Sequence, residues 1–339
     1  DVARPSEAAD VVLLKFLRAA AGDRRGELSP DAAAERLERT LRFRKENGID
    51  DYRVSDLSPR FQGHDTFAGT DSTGRPVLIS RYGGMDNDLV FGDTEAFVEY
   101  RTHIMEELVR SLSFKRGAAE TVCQVHDYSG VPLLFKTMEV KNGISAMSER
   151  FGAHYPETKG TTIFVNFPTA FSKFFQAFSI FLPESTRKKF VILGESDQEL
   201  LFEHLRPEAV PEDLGGMLKP GAKFEPNKGG LSSEPCVVVS VPARATKEVT
   251  VAEVAGPSSL QWEVRACSGE VSFELLFAPT PKADGSGGRP ELIVPRRPLQ
   301  AKAGVVTGEF RTRSGGTLRC RFKNDKAWLQ SRLCLARAA

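Results

Sequence analysis

The sequence predicts a multidomain chain, α/β followed by all-β, with a helical segment in front. Three observations carry this. From about residue 75, short apolar runs alternate with helical stretches, the pattern of a layered sheet with parallel pairs. Around residues 220–242 the chain becomes rich in Gly, Pro and Ser, including Gly229, Gly230, Ser232, Ser233 and Pro235, the composition of a linker. Beyond it, Val271–Phe277 and Thr317–Phe322 alternate apolar and polar side chains at period two, as antiparallel strands with one buried face do. The expected boundaries are 1–55 (helical), 56–225 (α/β), 226–244 (linker) and 245–339 (β-sandwich).

In chain order, Leu13, Leu14, Phe16 and Leu17 form an apolar helical stretch ending near Gly22. A second helix opens with Ser29 as N-cap and Pro30 at its first position, repeats Leu37 and Leu41, and stops at Gly48. Its basic face, Arg36 to Lys45, reads most simply as a solvated surface. Pro76–Ser80 is the first expected strand, after the turn Asp71–Gly74. Thr94–Phe114 reads as a long helix, Thr121–His126 as a strand closed by the turn Asp127–Gly130, and Val131–His154 as mostly helical. Thr161–Phe167 and Phe190–Leu193 are the third and fourth strands, with a helix at Phe171–Leu182 between them. In the C-terminal part Trp262–Arg265 joins the two strands above, and the Pro- and Gly-rich stretch Thr280–Pro298 reads as a connection.

The chain has 339 residues, 46 Lys+Arg against 45 Asp+Glu and 40% hydrophobic residues. That is enough for two to three domains with real cores, and its balanced charge argues against a general nucleic-acid binder. Splitting at residue 244 gives −5 before and +6 after, so a mildly acidic domain precedes a basic one. Five scattered cysteines contain no C-x-x-C pair, which points to a reducing compartment rather than a zinc or disulfide framework. The first residue is Asp1, as expected of a fragment. Ile163–Leu182 is the best spanning candidate, but it holds Lys173 and Pro168, so a soluble protein is expected. No phosphate loop is present, Gly143–Met147 lacks the last glycine of a nucleophile elbow, and the five histidines have no metal-ligand spacing, so enzymes and metal cofactors are not expected.

Phenylalanine is the anomaly: ten of 23 fall between Phe151 and Phe202. Phe171, Phe174, Phe175, Phe178 and Phe181 are spaced 3, 1, 3 and 3 apart, which puts all five rings on one helix face. Such a face is an ordinary core contact or the movable wall of an apolar cavity. Nearby, Glu157 precedes the third strand and Lys188-Lys189 the fourth. If those strands are neighbours, Glu157 and Lys189 approach each other, as a surface ion pair or a headgroup site.

These segments resemble a known family. Tyr155–Pro168, Phe171–Leu182 and Arg187–Gly194 are similar to the core of the CRAL-TRIO lipid-binding domain of yeast-type phosphatidylinositol transfer proteins. Leu13–Arg18, Gly74–Val77, Asp127–Gly130 and Val210–Gly216 resemble its other motifs, in family order. Ser259–Val264, Val271–Phe277, and Gly315–Asp325 with Trp328 resemble a GOLD domain. The resemblance implies a gate helix at Phe171–Leu182 over a lipid pocket that includes Phe164 and Val191, with Glu157, Lys189 and Lys188 contacting an inositol headgroup. Two places depart from the pattern: Ala20 and Ala21 stand where a basic pair is usual, and Pro132, Leu133 and Leu134 where polar residues serve choline lipids.

The expected function is non-enzymatic lipid binding and transfer, with phosphatidylinositol or a phosphoinositide favoured. The expected location is cytoplasmic and peripherally membrane-associated, with no cofactor beyond the lipid and no nucleic acid. Arg296, Arg297, Arg311 and Arg313 are the expected membrane-facing cations of the GOLD-like domain. The competing reading is an adaptor whose GOLD-like domain binds a protein partner while the first domain senses a sterol- or tocopherol-like ligand.

Overall fold

The computed structural model describes residues 7–23, 27–131, 137–168, 187–195, 197–224, 231, 234–281 and 288–339. It contains two compact units, Asp1–Asp197 and Gln198–Ala339.

The first unit opens with α1 (Glu7–Asp23) and α2 (Pro30–Glu46). The Ser29 hydroxyl accepts from the Ala32 N–H at 3.3 Å, and Gly48 follows the helix at φ +60°, so both helix-end signals act as expected. The helices meet through Phe16, Ala20 and Ala33. Ala20 is therefore a packing residue, and a cation there would lie in an apolar contact. The basic face of α2 is not wholly solvated: Arg44 donates to the buried Glu106 carboxylate at 2.8 and 2.9 Å.

The sheet runs β1 (Asp65–Thr70), β2 (Pro76–Arg81), β3 (Val122–Asp127), β4 (Lys159–Val165) and β5 (Phe190–Ile192), in that spatial order. β1 is antiparallel to β2, and all later neighbours are parallel. The turn before β2 is held by Asp71, which accepts from the Thr73 and Arg75 N–H groups at 2.8 and 3.0 Å. α3 (Asn87–Phe91) and α4 (Thr94–Arg110) lie between β2 and β3, and α5 (Thr137–His154) between β3 and β4. Sequential strand order with right-handed crossovers puts these helices on one face, where Phe97, Tyr100, Ile104 and Val140 bury Leu78.

The registers then assign the facing of the central residues of β2 to β5. Leu78, Gln124, Thr162 and Phe190 lie in one row, and Ser80, His126, Phe164 and Ile192 in the next. With a period of two, both rows share the helix-covered face. Ile79, Val125, Ile163 and Val191 form a row on the opposite face.

β1 was not expected from the sequence. It is short and polar, and it bulges between Phe67 and Gly69, with Gly69 at φ +107°. A buried network anchors it: Asp65 accepts from Ser80 Oγ at 2.5 Å and Arg101 Nη1 at 3.1 Å, and from the Tyr100 hydroxyl.

In the second unit, residues 198–224 form short 3-10 turns. A Cβ on Gly216 would lie 2.0 Å from the Val210 carbonyl oxygen, so the close approach admits only glycine. Two antiparallel four-stranded sheets follow. One contains β10 (Glu291–Gln300), β9 (Glu270–Pro279), β12 (Gly316–Lys323) and β7 (Thr246–Val254), in that order. The other contains β11 (Val306–Thr312), β8 (Ser258–Ala266), β13 (Arg332–Ala338) and β6 (Val237–Val241). Trp262, Val264, Phe273, Leu275, Phe322 and Cys334 are among the side chains that fill the space between them. This is the sandwich that the GOLD resemblance implies.

Two expectations change. The expected linker 226–244 contains β6, a full sandwich strand paired with β13. The expected connection 280–298 contains most of β10. Its Pro295 and Pro298 fit an edge strand, where a missing N–H leaves no ladder bond unmade. The sandwich also grips the closing motif: Arg265 on β8 donates to the Gly216 and Glu212 carbonyls at 2.9 and 2.7 Å. Among the described residues no helix is long and apolar enough to cross a membrane.

Candidate functional site

On the helix-covered face of the first sheet, β3, α4 and α5 enclose a cavity of about 90 Å³. Phe91, Phe97, Val140, Met147 and Phe151 supply its apolar wall. Its polar lining comes from Tyr82, Arg101, Gln124, His126, Tyr128 and Lys159. Period-two alternation aims Gln124 and His126 together at this side of β3, and the turn after β3 sets Tyr128. Asp127 locks that turn, accepting from Ser129 N–H at 2.9 Å and Asn166 Nδ2 at 2.8 Å.

Burial disfavours the charged forms of His126, Tyr82, Tyr128 and Lys159 in the cavity lining. His126 Nδ1 shares a hydrogen bond with the Tyr82 hydroxyl at 2.7 Å. Burial first, then the Arg101 and Lys159 charges, pull the imidazole down to about 3. Burial pushes Tyr82 up to about 12 and Tyr128 higher still. Lys159 falls to about 8 through burial and the Arg101 charge, and its ammonium lies 5.1 Å from the Phe151 ring centre.

A second feature sits beside the starts of β4 and β5. Lys189 Nζ lies 3.5 Å from Glu157 Oε2, with side chains 40% and 42% exposed. Parallel pairing of β4 with β5 brings the two together. Glu157 has φ +49°, a left-handed conformation that costs a residue with a side chain about 1–2 kcal/mol. Its charge reaches Lys15 of the Leu13–Arg18 motif. Burial lowers Lys15 to about 8, with Glu120 and Glu157 acting in the opposite sense. Lys15 Nζ also donates to the Glu120 carbonyl at 2.7 Å. Lys188 is exposed.

The remaining expected site residues divide. Phe164 lies on the helix-covered face, its ring 5.3 Å from His126 and 5.8 Å from Phe190. Val191 pairs in register with Ile163 and lies on the opposite face of the sheet from Phe164. Phe171, Phe174, Phe175, Phe178 and Phe181, and Pro132–Leu134, lie outside the described residues. In the sandwich, Arg296 pairs with Glu274 at 3.3 Å, and Arg297 stacks 5.0 Å from the Phe273 ring centre. Arg311 and Arg313 are exposed, but on β11 and its following turn, in the other sheet. Arg319 and Arg321 pair with Glu248 at 3.3 and 2.7 Å. Much of the positive charge on this sheet is therefore neutralised by cross-strand partners.

Residues 60–216 match the CRAL/TRIO domain. Patellin-6 of Arabidopsis thaliana is 28% identical over 91% of this chain and 74% of its own length. Patellin-2 of the same plant is 31% identical over 82% of this chain, which spans 39% of Patellin-2. A phosphatidylinositol transfer protein, SFH5 of Cryptococcus neoformans, is 30% identical over 62% of this chain and 75% of its own. The crystal structure of Sfh5 aligns with a TM-score of 0.54 at 26% identity, over 63% of this chain and 73% of that one. With this extent of identity, this strand order and these motifs in place, the chain belongs to the CRAL/TRIO domain family.

Proposed function

We propose that the chain is a lipid-binding and lipid-transfer protein that takes one membrane lipid into its first unit, with phosphatidylinositol or a phosphoinositide favoured. The observation that carries this reading is the Glu157–Lys189 pair, held at 3.5 Å just before two neighbouring strands, with the Glu157 charge also acting on Lys15. An ammonium suits a phosphate and a carboxylate suits sugar hydroxyls. The name of the related phosphatidylinositol transfer protein supports the same ligand. Acyl tails pass from one apolar surrounding to another, so their transfer is nearly neutral and the headgroup contacts set selectivity.

The reading is non-enzymatic, with no cofactor other than the lipid. Burial raises all five cysteine thiols, so none is poised as a nucleophile. The protein would work peripherally at a cytoplasmic membrane face, with the sandwich aiding recruitment to membrane or protein. Replacing Glu157 and Lys189 together by Ala is expected to abolish phosphatidylinositol uptake from liposomes, while the chain stays folded by circular dichroism. Unchanged uptake would reject the headgroup assignment.

A second reading, an adaptor carrying a more apolar ligand, is favoured by Ala20 in its apolar contact and by the phenylalanine-lined cavity. Native mass spectrometry separates the two: a co-purified phosphoinositide supports the first, and a sterol- or tocopherol-like mass the second.

A further inference from the structure

The buried cations of the first unit nearly all have anionic or carbonyl partners. Arg44 has Glu106, Arg101 has Asp65, and Lys15 has the Glu120 carbonyl. Lys159 is different. Among the described residues its ammonium meets no carboxylate and no hydrogen-bond acceptor, only the Phe151 ring and the repelling charge of Arg101. A largely buried charge without a counter-ion is costly. Two further polar groups on the cavity wall, the Gln124 amide and the Tyr128 hydroxyl, also have no hydrogen-bond partner among the described residues. With Arg101 balanced by Asp65 and His126 neutral, the cavity carries one uncompensated positive charge and a set of unused donors.

We infer that this cavity reads an acid: a carboxylate on an apolar tail binds with its oxygens at the Lys159 ammonium and its tail along the wall of Phe91, Phe97 and Phe151. The inference rests on the lipid-binding reading and names a ligand class for it. Net charge separates this site from the headgroup pair. A cavity of about 90 Å³ has room for a carboxylate. Ile144 on the cavity's lining is 46% exposed, which marks a side where a tail leaves. The Glu157–Lys189 pair is already internally neutral, so it gives a lone acid no comparable attraction.

The test compares cis-parinaric acid with parinaryl alcohol on the full chain, by fluorescence titration. The acid should bind about tenfold tighter or more, the scale of a charge-assisted hydrogen bond. In Lys159→Met, which keeps the apolar stem and removes the charge, acid affinity should fall to that of the alcohol. In Lys189→Met the acid preference should persist. Equal binding of acid and alcohol to the natural chain overturns the inference without any variant. A preference that survives Lys159→Met, or one that vanishes instead in Lys189→Met, overturns it too. Phosphatidylinositol uptake is measured in parallel. Intact uptake without acid preference removes this inference alone; failure of acid, alcohol and phosphatidylinositol together removes the lipid-binding reading as well.

Discussion

Glu157 combines a left-handed backbone with a half-exposed carboxylate. Replacing it by Gly relieves about 1–2 kcal/mol of strain. The substitution also adds about 0.5–1 kcal/mol of glycine entropy cost and removes an exposed pair worth about 0–1 kcal/mol. Glu157→Gly should therefore stay within about 1 kcal/mol of the natural chain in urea unfolding and yet lose phosphatidylinositol uptake. A loss of several kcal/mol would make Glu157 a structural residue. His126 makes a different prediction. Its native value near 3 lies below the unfolded value near 6.5, held there by burial first and then by the charges of Arg101 and Lys159. The unfolded chain thus takes up a proton as pH falls below 6.5, and the native one only near 3. Stability contributed by neutral His126 is complete above pH 6.5 and declines through that window, by at most about 1.4 kcal/mol per pH unit. His126→Gln, which can still bond Tyr82, should lose less stability than the natural chain between pH 7 and pH 5, read from urea midpoints. The Glu157–Lys189 contact was legible in the sequence because both residues stand at the starts of strands that could be neighbours. The cavity was not, since Tyr82, Gln124 and Lys159 come from different elements and only the registers bring them to one side.

Elements with strong periodicity were legible to within a few residues: α4 and the strands β2, β3 and β4 appear near their expected places. Those that hid did so for identifiable reasons. β1 carries two threonines, an aspartate and a glycine in six residues, so no apolar run announces it. β10 holds two prolines, and only its edge position reconciles them with a ladder. Phe164 and Val191, expected in one pocket, lie on opposite faces of the sheet, because facing alternates along a strand and depends on a register that the sequence does not display. In the sandwich, β11 meets β8 where Gly308 faces Trp262, and a Cβ on Gly308 would lie 2.2 Å from the indole. Gly308→Ala should therefore destabilise the chain by about 1–3 kcal/mol, as overpacking does. A melting temperature equal to that of the natural chain would show that the indole moves aside freely.

At the scale of the whole molecule, the sequence separates an acidic part from a basic one, and the structure draws the line elsewhere. The compact units divide at 197/198, whereas the family match continues to residue 216. The last motif of the CRAL/TRIO match is thus held by Arg265 of the sandwich. No composition change marks that junction, because it is made by one guanidinium and two carbonyls. Both tryptophans, moreover, lie beyond residue 197. Trp262 is buried at 3% exposure, while Trp328 is 78% exposed with the Arg244 guanidinium 3.8 Å from its ring centre. The protein consequently has a built-in optical reporter confined to its C-terminal unit. Its emission should contain a blue component that iodide does not reach and a red one that it quenches. Melting followed at 295 nm excitation should register the C-terminal unit alone, leaving the first unit dark unless a fluorescent ligand lights it.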